Sequence, residues 1–410
     1  MKKNLILILF TVLCVPVVMG QYSTANQYQS TQPYASSALP SGGISVNVRS
    51  LYFDVVSDGG SYDAEILLRE LELRFEVYNR LFRFNTTTLP APLKVRSIGN
   101  KNEYDRYVTE RLGTARDGAV YLHYPQVDRR ELVINRGSAD EARMLPHQAF
   151  IQYFRAFISQ PPTWMREGFA IYFNSLKFDK NVRELRYEEN LAWLETVKIL
   201  GSKAPGLDSV FLADIRGQPD NFQPVSWAIV SFLLNAGGNG EYFRTLTESF
   251  MLLSDERSAG ENSQLVLDRL LRWTNLEQIT TEYNNYINSR RTFTELVNDG
   301  QMAYSDSDYV RASNFFQAAI FQKPTHYAPY YYLGLISFEN HDFDNAEAYY
   351  RTALNYGADP ALLNYALGVN AATASRSADA INYLELAIAA DPERYRSKAE
   401  AILERLRLLR

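Results

Sequence analysis

The sequence predicts an α+β domain, in which a small mixed sheet precedes a helical half, followed by an all-α solenoid of helix pairs. Three observations support this fold class. Strand-like and helix-like patterns alternate between 44 and 137, helical periodicity dominates from about 140 to 288, and a 34-residue period fills the remainder. At 410 residues the chain is long enough for two or three domains with buried cores.

The composition narrows the class of function. Apolar residues make up 46% of the chain and charged residues 22%, which is ordinary for a folded protein. The net charge of −5 predicts no broad basic surface, so nucleic acid is not expected as a partner.

The first 20 residues are predicted to be a signal peptide. Lys2 and Lys3 precede an apolar stretch at 5–18 that is short for a membrane span, and Gly20 supplies a small residue for cleavage. We expect export, most simply to a bacterial periplasm or cell envelope; an uncleaved N-terminal anchor is the alternative. The only cysteine is Cys14, so the mature chain would have no disulfide. We also expect no integral membrane segment in the mature chain, because cleavage would remove the apolar stretch at 5–18.

Residues 21–43 are rich in Gln, Ser, Tyr, Ala and Pro and almost uncharged, which predicts a disordered linker. The folded part then begins. Strands are predicted from alternating or β-branched runs, and helices from apolar residues at three- to four-residue spacing. The predicted strands are 44–57, 92–98, 118–125 and 131–137, and the predicted early helices are 62–82 and 102–112.

Residues 291–410 repeat every 34 residues. The recurring positions are Gly300, Gly334 and Gly368; Ala312, Ala346 and Ala380; Ala319, Ala353 and Ala387; and Phe316, Tyr350 and Leu384. These positions resemble the tetratricopeptide repeat, a helix pair with small residues where the helices cross and an aromatic that fills the remaining gap. The pattern predicts three such repeats. The basic amphipathic stretch 394–410 is predicted to be a capping helix. Its arginines most simply form a solvated face, and a site for an anionic partner is the alternative.

A second resemblance covers 44–290. One motif contains Trp164, Glu167, Gly168, Ala170, Tyr172 and Phe173, and it follows the stretch His147-Gln148-Ala149-Phe150-Ile151. The pair resembles the gluzincin-type, peptidase-MA-like zinc metallopeptidases, in which one helix carries H-E-x-x-H and the next carries W-x-x-E-G-x-A-x-Y/W-F. The resemblance implies a metallopeptidase-like domain.

This sequence departs from that family at the catalytic positions. His147 and Glu167 match the first and third zinc ligands, but Gln148 replaces the general base and Ile151 replaces the second ligand. Gln223 stands where the family often has a transition-state tyrosine. A glutamine amide does not accept a proton near neutral pH, and a catalytic zinc normally keeps three protein ligands. We therefore predict a vestigial, inactive site without a cofactor.

Two alternatives remain for the vestigial site. It is a metal-free ligand cleft, or a non-standard zinc site in an active metallopeptidase whose repeats recruit substrate. His147 is otherwise expected to form a hydrogen bond to Glu167 or Gln148. His123 lies on a predicted strand, and it either leans into the cleft or is a surface or core histidine.

The predicted function is that of a non-catalytic scaffold that binds a protein partner through its repeats. The concave face of such a solenoid is built from the first helix of each pair. Aromatic side chains in that groove favour protein binding, although burial between helices is the alternative. The predicted partner-binding residues are Tyr304, Tyr331, Phe338 and Tyr365.

Overall fold

A computed structural model of the protein describes residues 45–189, 191–236 and 240–408. The predicted signal peptide and the whole of the predicted linker lie outside the described residues. The chain divides into two compact units, with the boundary between Ser289 and Arg290. Among the described residues, no helix combines the length and the apolar character that a membrane span requires.

The first unit opens with a mixed sheet and its helices. In chain order the elements are β1 (Val46–Arg49), β2 (Phe53–Ser57), α1 (Gly60–Phe82), β3 (Leu93–Ile98), α2 (Lys101–Leu112), β4 (Ala119–Leu122), β5 (Glu131–Asn135), α3 (Glu141–Phe157) and α4 (Thr163–Phe173). The sheet order is β1-β2-β3-β5-β4. The three inner strands are parallel, with Val55 paired to Val95 and Val95 to Leu132, while β1 and β4 are antiparallel edges. The predicted small mixed sheet is therefore present.

The predicted first strand is two strands rather than one. The chain turns at Ser50, whose backbone N–H donates to the carbonyl of Phe53 at 2.9 Å. The Ser50 hydroxyl accepts from the backbone N–H groups of Tyr52 and Phe53 as well. A serine that satisfies local backbone groups in this way favours a turn over a continuous strand.

A two-stranded hairpin interrupts the helical half, which the sequence pattern did not predict. It consists of β6 (Leu176–Asp179) and β7 (Glu184–Tyr187). Its first strand is attached to α1 by the buried Arg74, whose guanidinium donates to the carbonyl of Leu176 at 3.2 Å. Glu70 neutralises that guanidinium from one turn earlier on α1, at 2.7 Å.

The rest of the first unit is helical. Its elements are α5 (Leu191–Leu200), α6 (Leu207–Phe211), α7 (Ala213–Arg216), α8 (Phe222–Asn235), α9 (Glu241–Phe250), α10 (Ala259–Leu270) and α11 (Leu276–Ser289). Helix α8 is buried along most of its length and packs directly against α4. The main core lies between the sheet and these helices, and Phe82, Phe150 and Phe169 form its aromatic centre.

The second unit is a stack of helix pairs. Its elements are α12 (Phe293–Ser305), α13 (Tyr309–Gln322), α14 (Tyr327–Glu339), α15 (Phe343–Asn355), α16 (Pro360–Thr373), α17 (Ser377–Ala390) and α18 (Pro392–Leu408). The pairs are α12 with α13, α14 with α15, and α16 with α17, and α18 packs on the last pair. Ser307, His341 and Ser375 adopt a left-handed backbone in the turn of each pair, again at a 34-residue step. A helical repeat region of the predicted period is confirmed.

The repeated glycines explain the tight crossing within each pair. A Cβ on Gly334 would lie 2.5 Å from the ring of Tyr350, and one on Gly300 would lie 2.7 Å from the ring of Phe316. In each pair, the aromatic ring on the second helix therefore occupies the space that a side chain at the glycine of the first helix would need. The Phe316 ring also stacks on Tyr332 of the following pair, with ring centroids 4.9 Å apart. Each repeat thus buries its core partly against its neighbour.

Candidate functional site

Helices α3 and α4 bring the two separated motifs together. His147 lies in the first half of α3 and Glu167 lies in the first half of α4. The His147 Nε2 and a Glu167 carboxylate oxygen are 3.5 Å apart, and both side chains are largely buried. The structure therefore places the two matching positions beside each other.

Glu167 is held as a carboxylate by its neighbours. The Arg166 Nε donates to its second oxygen at 3.0 Å. Burial opposes ionisation of Glu167, but the hydrogen bond from His147 and the charge of Arg166 outweigh burial and hold the pKa of the carboxyl at about 2. Both carboxylate oxygens are thus engaged by side chains of this protein.

Gln148 connects the site to the edge of the sheet. Its side-chain oxygen accepts a hydrogen bond from the backbone N–H of Tyr121 in β4, at 3.0 Å. This bond fixes the orientation of the amide, because a backbone N–H must face the oxygen. The amide nitrogen then faces the His147 Nδ1 at 3.2 Å and donates to it.

The Gln148 amide therefore determines which nitrogen of His147 carries the proton. If Nδ1 accepts from Gln148, the proton of the neutral ring lies on Nε2, which faces Glu167. A zinc ligand needs a free nitrogen lone pair on the side of the metal. The arrangement directs a proton, rather than a lone pair, towards Glu167.

The remaining residues do not fit a catalytic zinc. Ile151 lies one turn after His147, is half-buried, and packs against the main core. No group of three or more His, Cys, Asp or Glu side chains that suits a metal ion occurs in the part of the chain that the structure describes. With two candidate donors, both already hydrogen-bonded within the site, the set falls short of the three ligands that catalytic zinc requires.

The second motif forms the framework of the site. Trp164 is fully buried and its indole N–H donates to the Ser263 hydroxyl at 3.0 Å. Gly168 packs against α8, where an added Cβ would lie 2.4 Å from the carbonyl oxygen of Ser226. Ala170 and Phe173 are buried and Tyr172 is partly buried, so the motif belongs largely to the core.

Sequence reasoning missed a group of arginines beside this site. Arg155 lies on α3 two turns after His147, and its charge acts together with those of Arg130 and Arg166 on His123. Burial, and then the charges of these arginines, lower the pKa of His123 to about 4. His123 follows the end of β4 at Leu122 rather than lying on the strand, as the sequence had suggested. The spacing of 147, 151 and 155 on one helix face is the signal that would have revealed Arg155.

The four predicted groove aromatics lie on the first helices of their pairs. Tyr304 is on α12, Tyr331 and Phe338 are on α14, and Tyr365 is on α16. All four are half-buried, and each lies near an aromatic ring of another helix or of the turn that follows: Tyr304 with Tyr309 at 5.6 Å, Tyr331 with Tyr350 at 6.2 Å, Phe338 with Phe343 at 6.0 Å and Tyr365 with Tyr395 at 5.1 Å. Each side chain therefore combines packing between helices with a solvent-facing part.

The chain matches solved structures, but it matches no known protein by sequence. No protein-family model and no curated protein matches the chain. Among solved structures, the Arabidopsis OM64 TPR domain is 19% identical, with 29% of this chain and 96% of that domain covered at a TM-score of 0.27. A chain of a CopN–Scc3 complex is 19% identical, with 27% of this chain and 67% of that chain covered at a TM-score of 0.25.

Proposed function

We propose that this protein is a non-catalytic scaffold that binds a protein partner through the groove of its repeats. The observation that carries the proposal is the row of half-buried aromatic side chains on the first helices of successive repeats. First helices line the concave face of a solenoid. Aromatic residues that are held by packing and partly open to solvent lose little entropy on binding, which suits them as anchors for a protein partner.

Site-specific photo-cross-linking in the intact protein tests this proposal. A benzophenone amino acid placed at Phe338 or Tyr365 should give one defined cross-linked product in the native host. The matched control is the same amino acid at Phe321, a 91% exposed position on the second helix α13. A product of equal yield at Phe321, or no product at any groove position, would contradict the proposal.

The proposal includes a peptidase-like domain that performs no catalysis. It is supported by the hydrogen bonds that hold His147, Gln148 and Glu167 to each other and to β4. Export to a bacterial periplasm or cell envelope is proposed from the first 20 residues. N-terminal sequencing of the mature protein should begin at Gln21; a chain that retains Lys2 and Lys3 would contradict cleavage.

The competing function is an active zinc metallopeptidase with a non-standard metal site. The 3.5 Å approach of His147 and Glu167 is the observation that favours it. An active peptidase here would lack a general base at Gln148 and a second helical ligand at Ile151. A missing base typically lowers the rate roughly 10²- to 10⁴-fold. Metal analysis, described at the end of the Discussion, distinguishes the two functions.

A further inference from the structure

The start of α14 is capped by a titratable side chain. His326 is the N-cap residue of this helix, and its Nδ1 accepts a hydrogen bond from the backbone N–H of Ala328 at 3.3 Å. Because a backbone N–H only donates, Nδ1 must carry no proton in this arrangement. A cap side chain accepts from the second or third residue of its helix. The third residue here is Pro329, which has no N–H, so the cap depends on Ala328 alone.

The first helices of the other two pairs have caps of a different kind. At the start of α12, the Thr292 hydroxyl accepts from the backbone N–H of Glu295 at 3.2 Å. At the start of α16, the Asp359 carboxylate accepts from the backbone N–H of Ala361 at 2.9 Å. Histidine is the side chain that ordinarily changes its charge between about pH 5 and pH 8. Of these three caps, the one on α14 is therefore suited to be lost just below neutral pH.

His326 also connects the first repeat to the second. Its ring lies against Phe293 of α12, with centroids 4.6 Å apart, and stacks on Tyr327 of its own helix, with centroids 5.1 Å apart. The charged group that acts on it is Lys323 at the end of α13, while Phe293 brings no charge. Burial and then the charge of Lys323 lower the pKa of His326. The Lys323 Nζ already lies 4.6 Å from the centre of the Phe293 ring, so an imidazolium would compete with it there.

We propose that His326 is a pH-sensitive cap that loosens the start of α14, and with it the repeat groove, as the solution becomes acidic. Protonation of Nδ1 removes the acceptor of the Ala328 N–H and places a second positive charge beside Lys323. The dipole of α14 also opposes a positive charge at its N-terminus. Tyr331 begins the second turn of α14, so a frayed first turn changes its position relative to Phe338.

The pH range follows from the direction of the pKa shift. Because the pKa of folded His326 lies below the ordinary 6.5, the folded protein binds fewer protons here than the unfolded chain. The stabilisation by the cap is therefore fully present above pH 6.5 and is lost as the pH falls through the pKa of the folded protein. The loosening of α14 stands by itself, whereas its effect on a partner rests on the proposed function of the groove.

Hydrogen exchange of the full chain, read by mass spectrometry, tests the cap. Protection factors corrected for the intrinsic effect of pH on exchange are compared at about pH 7.5 and about pH 5, on either side of an ordinary histidine titration. In the parent, protection at the start of α14 should fall about threefold or more, as expected when an N-cap is lost. Protection at the start of α16, which Asp359 caps, is the internal reference and should fall less.

His326→Asn is the matched variant, because asparagine is a strong N-cap that does not titrate. It should keep the protection of the parent at the higher pH and retain it at the lower pH. His341→Asn removes a histidine from the left-handed turn of the same pair, where asparagine is tolerated, and should behave like the parent. Equal protection of the parent at both pH values, or an equal loss in His326→Asn, overturns the cap.

Photo-cross-linking at Phe338, repeated at the two pH values, tests the effect on the groove. The yield should fall at the lower pH in the parent and stay constant in His326→Asn. A constant yield in the parent, together with the expected loss of protection, would overturn the regulation of the groove and keep the cap. No product at either pH would contradict the proposed function and its regulation together, while hydrogen exchange decides the cap independently.

Discussion

Gln148 shows how one residue redefines a site. Its amide bridges the Tyr121 backbone N–H and the His147 Nδ1, at 3.0 and 3.2 Å. A glutamate here accepts from Tyr121 equally well but has no N–H to donate to His147. Gln148 therefore acts as a bridge that orients His147, at the position where the motif that the sequence resembles has a proton acceptor.

The sequence predicted this site only in part. The departures from the resembled motif at Gln148 and Ile151 are visible in the sequence, and a hydrogen-bonded His147 could be expected from it. The orientation of the Gln148 amide could not be predicted from the motif, because it depends on the backbone N–H of Tyr121 in β4. Arg130, Arg155 and Arg166 were missed because one lies in the loop before β5 and the others lie on two different helices, and they share no motif.

His123 contributes to the change in the free energy of unfolding with pH below pH 7. Its pKa of about 4 lies below the ordinary 6.5, so the folded protein binds fewer protons here than the unfolded chain between those values. The contribution of neutral His123 to the free energy of unfolding is therefore fully present above pH 6.5 and is lost as the pH falls from 6.5 towards 4. The His123→Gln protein should therefore lose less stability than the parent between pH 7 and pH 4.5, as measured by urea denaturation.

A direct titration of His123 provides the control for this expectation. NMR should give a pKa near 4 in the parent and a higher pKa in Arg155→Gln, because one repelling charge is removed. Arg143→Gln should leave the value unchanged. A His123 pKa near 6.5 in the folded parent would contradict this account.

At the level of elements, periodicity predicted the long helices better than the short strands. Helix α1 spans Gly60–Phe82, close to the predicted 62–82, because its apolar spacing persists over many turns. The hairpin of Leu176–Asp179 and Glu184–Tyr187 escaped prediction. Its strands are four residues each and half polar, and one is fixed by the distant Arg74 rather than by local preference.

The crossing of α4 and α8 depends on Gly168. An alanine Cβ would lie 2.4 Å from the backbone oxygen of Ser226, and backbone cannot yield as a flexible side chain does. Gly168→Ala should lower the free energy of unfolding by roughly 1–3 kcal/mol, in the range for overpacking. Urea denaturation measures the loss.

Gly206→Ala is the matched control for that substitution. Its Cβ would meet only the carboxylate end of Asp208 at 2.8 Å, the flexible end of an exposed side chain whose ion pair with Arg216 is also exposed. The control should lose less stability than Gly168→Ala. Equal losses in the two variants would refute close packing as the role of Gly168.

The terminal helix α18 caps the repeat stack. Leu403 is buried on its inner face, whereas Leu408 near its end is 86% exposed. Leu403→Ala should destabilise the repeat unit by roughly 2–5 kcal/mol, as expected for a truncated core leucine. Leu408→Ala should change stability by no more than about 0.5 kcal/mol. Denaturation followed by circular dichroism compares the two, and similar effects would show that α18 does not seal the stack.

For the whole molecule, we propose different roles for the two units. The first unit keeps a buried framework around Trp164 and Gly168, while its site is closed by internal hydrogen bonds. The second unit presents aromatic side chains on a repeated frame. The 34-residue period predicted the second unit well because each repeat depends on contacts within itself and with its nearest neighbours.

The central claim is that the site of the first unit holds no zinc and performs no peptidase chemistry. Its most direct test is elemental analysis of the full-length protein after incubation with zinc and removal of free metal, with His147→Ala as the matched variant. The account predicts far less than one zinc per chain in both proteins. One zinc per chain in the parent that is lost in His147→Ala would contradict it.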